Sequence, residues 1–288
     1  MKGKIIKGIG GFYYVKTPDG DVVECKARGI FRKENLKPYI GDEVEISIEN
    51  KTGNIEKILP RRTMLLRPAV ANIDAVVIVI AAKDPEPDTL FCDKLILSAE
   101  FAGIEPLICI NKSDLKMDTN LLETYEKAGY KTLLVSAKNE DDAKKLLPVI
   151  KGKTSAFAGF SGVGKSTLLG ILTGKKQETG EVSKKIKRGR HTTRRVELLE
   201  LTCGGYVLDT PGFSSFEISG IKADELKNYF SEMQELNEMC RFKGCSHINE
   251  PDCAVKTAVE SGEISKSRYE SYKTFYETLK KVKDWENK

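Results

Sequence analysis

Long apolar runs are missing from this chain of 288 residues. The longest spans residues 75–82. A membrane-crossing helix needs about 20 consecutive apolar residues, so no such span is expected. From Met1 to Lys7, charged side chains interrupt the apolar ones. They leave no continuous core for a signal peptide, and the expected location is the cytosol. Repeats and low-complexity tracts are lacking. Histidine is scarce, with only His191 and His247. Seven cysteines in a chain expected to be intracellular argue for reduced thiols or a metal rather than a disulfide framework. Cys25, Cys92, Cys109 and Cys203 stand isolated. Cys92 and Cys109 lie in apolar segments and read as buried small hydrophobes.

What is present is unevenly placed. The formal charge is +5. Residues 1–67 hold 14 Lys and Arg against 9 Asp and Glu, which is the whole excess. A basic bias in one small domain favours an anionic partner, most simply nucleic acid. An ordinary solvated surface reads equally well.

The length suggests two or three domains. Residues 1–66 read as all-β. Short strands are expected at Lys4–Ile9, Gly11–Lys16, Val22–Lys26, Val44–Glu49 and Ile55–Leu59, with turn residues between them. Five short strands suit a small closed barrel such as an OB-fold, and an SH3-like barrel stays open. Beyond Arg62 the texture changes. Ile73–Ala82 reads as a strand buried on both faces. Next come helix Thr89–Ala102 with Asp88 as N-cap, strand Pro106–Ile110, helix Asn120–Ala128, strand Thr132–Val135 and helix Asp141–Ile150. Strand Ser155–Ala158 then leads to a helix near Lys165, and Val196–Leu201 with Tyr206–Leu208 form a hairpin-like pair. Such alternation implies an α/β domain with a mainly parallel sheet, placed at 67–220. Residues 221–288 read as helical, ending in a helix whose Tyr269, Tyr272, Phe275, Tyr276, Leu279 and Val282 share one face.

Gly159-Phe160-Ser161-Gly162-Val163-Gly164-Lys165-Ser166, with Thr167 beside it, matches the phosphate-binding loop G-x-x-x-x-G-K-[ST]. It follows a strand and opens a helix, the context this motif needs. Glycines let backbone N–H groups wrap the phosphate oxygens. Lys165 would neutralise the β- and γ-phosphates, and Ser166 would hold Mg²⁺. Asp209-Thr210-Pro211-Gly212 ends a later strand. Asp209 would bind the metal, directly or through water, and the Gly212 N–H would sense the γ-phosphate. Between them, residues 184–195 hold seven basic side chains around His191, Thr192 and Thr193. Thr193 is favoured to complete the Mg²⁺ shell, with Thr192 as the alternative.

Asn111-Lys112-Ser113-Asp114 fits the guanine motif N-K-x-D. Asp114 can accept from guanine N1–H and N2–H₂, donors that adenine lacks. Lys112 can cover the base, and Asn111 can brace neighbouring loops. Ser136-Ala137-Lys138 ends the next strand, where a backbone N–H would meet guanine O6. These motifs precede the phosphate loop, the reverse of the usual GTPase order. Each sits at or beside the carboxyl end of a strand, so a circular permutation preserves the site. The chain after the second switch runs directly into the C-terminal region, which hydrolysis is therefore expected to move.

Cys240, Cys245, His247 and Cys253 give three thiolates and an imidazole at C-x₄-C-x-H-x₅-C spacing. Soft ligands in a Cys₃His set favour one tetrahedral structural zinc.

A barrel followed by NKSD, SAK, GFSGVGKS, GRHTT, DTPGF and C-x₄-C-x-H-x₅-C resembles the RsgA family of bacterial circularly permuted GTPases over the whole chain. The resemblance implies an OB-fold at 1–66, a permuted GTPase domain at 67–220 and a zinc-containing helical domain at 221–288. It implies a monomer that hydrolyses GTP to GDP. Its implied partners are the 30S ribosomal subunit and 16S rRNA, its role late subunit maturation, with hydrolysis stimulated by the subunit and coupled to release. Phe213 stands where Ras-like enzymes place a water-orienting glutamine. The resemblance points instead to His191 as the catalytic group beside Lys165 and Thr193. An RNA-contact or packing role for His191 stays open.

Overall fold

The computed structural model describes residues 1–29, 31, 36–49, 52–66, 69–115, 120–174, 196–209 and 220–286. Their contacts group into two units: residues 1–77, 137–158 and 164–215, and residues 78–136, 159–163 and 216–288.

The first unit opens with the barrel. Its strands are β1 (Lys2–Ile9), β2 (Phe12–Lys16), β3 (Val22–Ala27), β4 (Glu43–Glu49) and β5 (Thr52–Ile58). Alternation turns Ile5, Val15, Cys25, Val44, Ile46 and Ile55 inward, where they are buried with Phe31. The barrel closes because β1 pairs with both β2 and β4. β3 and β5 run parallel. That order, β1-β2-β3-β5-β4-β1, is the Greek-key arrangement of an OB-fold and decides between the two barrels left open above.

A short antiparallel pair follows, β6 (Met64–Leu66) and β7 (Ala69–Ala71), which the sequence pattern does not announce. Gly41 makes room for it. A Cβ on Gly41 would lie 2.0 Å from the Ala71 carbonyl oxygen, and its φ is +89°. Further on, β11 (Thr154–Ala158) pairs in parallel with β13 (Tyr206–Asp209), and β13 pairs antiparallel with β12 (Glu197–Glu200). β1 docks on the free edge of β12 with Lys7 opposite Glu197, and their side chains form an ion pair at 2.8 Å. Lys4 reaches Thr154 Oγ1 at 2.9 Å, and burial lowers its pKa.

The helix expected over Asp141–Ile150 is instead broken. α3 (Glu140–Ala143) and α4 (Leu147–Ile150) flank a 3-10 turn at Lys144–Leu146. Pro148 explains this, since it has no N–H for the continuing ladder and is tolerated in a first helical turn. α5 (Lys165–Thr173) belongs to the same unit.

β8 (Ala75–Ala81) is fully buried and carries the chain into the second unit. There the strand order is β10-β9-β8, with β9 (Glu105–Asn111) parallel to β10 (Thr132–Leu134). α1 (Thr89–Phe101) starts where expected, because Asp88 accepts a hydrogen bond from the Phe91 N–H. α2 (Asn120–Lys127) follows. After residue 220 come 3-10 turns at Leu226–Tyr229 and Glu235–Met239 around α6 (Ser231–Gln234), then α7 (Ala254–Ser261) and α8 (Lys266–Glu286). The expected face of α8 is realised. Tyr269, Tyr272, Phe275 and Leu279 are buried with Phe230, Met233, Val255 and Leu97 of α1. The Val282 side chain lies outside the described residues.

Candidate nucleotide site and metal centre

The second unit holds the guanine motif and the first part of the phosphate loop. Asn111 ends β9 and is 1% exposed. Its Nδ2 donates to the Val163 carbonyl at 2.8 Å, and its own carbonyl accepts from the Ala82 N–H. These two bonds tie the end of β9 to residue 163 and to the end of β8. Lys112 takes a left-handed φ of +62°, and its ammonium donates to the Asp84 carbonyl. The Ser113 N–H bonds the Val135 carbonyl at 3.2 Å, which ties this loop to the next strand end. Ser136 donates from Oγ to Asp114 Oδ1 at 2.7 Å, so the second motif orients the carboxylate of the first. Ala137 and Lys138 continue from Ser136 into a turn of the other unit, just before α3.

The phosphate loop has the backbone its glycines permit. Gly159 has φ +141°, and a Cβ there would lie 2.2 Å from the Val79 carbonyl oxygen. Gly162 and Gly164 have φ of +82° and +97°. Phe160 is part exposed and packs at a tilt against Phe91, Ser161 is exposed and Val163 is buried. In the first unit, Gly164 precedes α5, which Lys165, Ser166 and Thr167 open. Burial lowers the Lys165 pKa, a cost that a bound polyphosphate would reverse. Asp209 ends β13, with its backbone opposite Glu197. The Asp209 side chain, His191, Thr192, Thr193, Gly212 and Phe213 lie outside the described residues.

The metal cluster forms as the spacing requires. The ligand atoms of Cys240, Cys245, His247 and Cys253 all lie within 4.8 Å of one another. His247 is fully buried and takes φ +59°. Its Nε2 faces Asn237 Oδ1 at 2.7 Å, and its Nδ1 faces Cys253 Sγ at 3.3 Å and Cys240 Sγ at 3.5 Å. An Nε2–H donating to Asn237 leaves Nδ1 as the ligand atom. Burial, and then the Lys227 charge, lower the His247 pKa to about 4, so the imidazole is neutral as a ligand must be. Burial raises the Cys245 thiol to about 12, so metal binding there would release a proton. Three sulfurs and one nitrogen at this separation fit tetrahedral zinc. α8 grips the ligand loop through Tyr269 Oη on the His247 carbonyl and Tyr272 Oη on the Ser246 carbonyl, both at 2.7 Å.

Two family models match most of the chain, up to residue 219. Residues 58–219 match the RsgA GTPase model, and residues 2–55 match the RsgA N-terminal domain model. The chain belongs to the RsgA GTPase family. The small ribosomal subunit biogenesis GTPase RsgA of Ruminiclostridium cellulolyticum is 49% identical over 99% of this chain and 96% of its own length. That of Caldanaerobacter subterraneus subsp. tengcongensis is 48% identical over 100% and 98%. Among solved structures, YloQ, a circularly permuted GTPase, superposes with a TM-score of 0.83 at 38% identity, covering 98% of this chain and 95% of its own. YjeQ from Thermotoga maritima gives 0.82 at 39% identity, covering 96% and 98%. The chain is thus a GTP hydrolase of ribosome biogenesis with permuted motif order. No helix among the described residues is long and apolar enough to cross a membrane.

Sequence reasoning missed three residues. Asn237, which orients His247, Glu250, which organises the ligand loop, and Arg268, discussed below, carry no motif or periodicity that would single them out.

Proposed function

We propose that this chain is a cytoplasmic, monomeric GTPase that binds the 30S subunit through 16S rRNA late in its maturation. Hydrolysis is stimulated by the subunit and coupled to release. The observation that carries the nucleotide reading is the bond from Asn111 to the Val163 carbonyl, which joins the guanine motif to the phosphate loop. The domains are residues 1–66 for RNA, 67–220 for GTP and 221–288 for zinc. The reading of the subunit as partner is supported by the names of the relatives and by the basic excess in residues 1–67.

Asp114, oriented by Ser136, accepts from guanine N1–H and N2–H₂. Lys112 covers the base, and the turn at Ala137 and Lys138 presents an N–H to guanine O6. Backbone N–H groups of residues 159–164 and Lys165 hold the β- and γ-phosphates, with Thr167 beside them. Ser166, Thr193 and Asp209 would hold Mg²⁺, which supplies charge neutralisation between those phosphates. Gly212 reads the γ-phosphate, and His191 orients the attacking water, since Phe213 cannot hydrogen-bond it. Cys240, Cys245, His247 and Cys253 hold one zinc, which contributes folding energy to a region of short helical turns.

Co-sedimentation tests the partner. The chain with a non-hydrolysable GTP analogue is expected to pellet with 30S subunits, and the chain with GDP to stay largely in the supernatant. Equal pelleting in both states would contradict coupling to release.

A further inference from the structure

Helix α1 carries two contacts that the motifs do not explain. In its first turn, Phe91 packs at a tilt against the part-exposed ring of Phe160 in the phosphate loop, with ring centroids 3.9 Å apart and planes at 33°. Two residues on, Asp93 is 1% exposed, and its Oδ1 accepts from Arg268 Nη1 at 2.8 Å. Arg268 lies in the first turn of α8 and is itself 1% exposed. Its Nε and Nη2 donate to the two carboxylate oxygens of Glu232 at 2.7 and 3.1 Å. The guanidinium also faces the rings of Phe230 at 4.7 Å and Tyr130 at 5.4 Å. Next to it on α8, Tyr269 holds the metal-ligand loop. All of these residues belong to one unit.

A planar guanidinium forked between two buried carboxylates allows α1 little freedom to slide or turn. The first turn of α1 is in turn the surface on which the phosphate loop rests its only ring, Phe160. A small displacement of that loop costs affinity, because every phosphate contact depends on backbone position. We propose that Arg268 is a positioning residue for GTP binding: through Asp93 it fixes α1, and through the Phe91–Phe160 ring contact α1 fixes the phosphate loop. The inference rests on residues 159–166 being the nucleotide site.

The test uses the full chain and a fluorescent GDP analogue, with zinc content as the check on folding. Arg268→Lys keeps the cation and loses the fork. Phe91→Leu keeps an apolar side chain and loses the ring face. Each is expected to weaken nucleotide affinity about fivefold with the zinc content of the wild type. The double variant is expected to lose little more than either single one, because both cut the same linkage. Folded, zinc-loaded Arg268→Lys protein that binds as tightly as wild type would overturn the proposal. So would a double variant whose loss is the full product of the two. Should Arg268→Lys fail to fold, Asp93→Asn, which keeps the shape of the side chain and removes the charge that holds the guanidinium to α1, is read by the same criteria. Wild-type protein without affinity for the GDP analogue would sink the underlying site reading, and the proposal with it.

Discussion

Glu250 shows how one residue can organise the loop that carries candidate metal ligands. Its carboxylate accepts from the Ser246 N–H and Oγ–H, the Ile248 N–H and the Asn249 N–H. Burial pushes its pKa up, but these donors outweigh burial and bring it down to about 2. The ionised form is therefore the one the fold favours. An unfolded glutamate titrates near about 4.3. The stabilisation is complete above that value and is lost as pH falls towards 2. Glu250→Gln is expected to lower the melting temperature at pH 6, with the difference from wild type shrinking as pH falls from about 4 towards the folded-state value of about 2. A difference that stayed constant through this range would mean the carboxylate charge plays no part. The gathering of Cys240, Cys245, His247 and Cys253 was legible because a metal site demands these residue types at close spacing. Glu250 was not, since glutamates are frequent and its partners are mostly backbone groups that no pattern marks.

At the scale of elements, the sheet strands were legible and the irregular segments were not. Ala75–Ala81 and Glu105–Asn111 announce themselves as continuous apolar runs. β6 and β7 have three residues each, too short for alternation to register. The 3-10 turns near residues 226–239 have no 3.6-residue period to detect. The phosphate loop joins both kinds of information, because its glycines were read as phosphate ligands while the structure gives one of them a second duty. Gly159 passes the Val79 carbonyl so closely that any Cβ meets it. Gly159→Ala is expected to displace the loop and weaken GDP binding about tenfold or more, with the helical and sheet content of the wild type by circular dichroism. Affinity within twofold of wild type would show that the loop yields without consequence.

For the whole molecule, the permuted order places the C-terminal region directly after the second switch, so hydrolysis is expected to move it. The structure adds a route that does not pass through that segment, from the phosphate loop to α1 and from α1 to α8 and the metal loop. Residues 159–163 and the C-terminal elements thus belong to one unit. The expected catalytic group, His191, belongs to a motif whose basic neighbours suit an RNA surface, so full activity is expected only when that surface is present. Turnover measured across a titration of purified 30S subunits, with 50S subunits as control and His191→Ala alongside, tests this most directly. The account predicts slow turnover alone, a saturable rise with 30S, no rise with 50S, and a His191→Ala protein that gains little from either. Turnover that ignored 30S subunits, or rose equally with 50S, would contradict it.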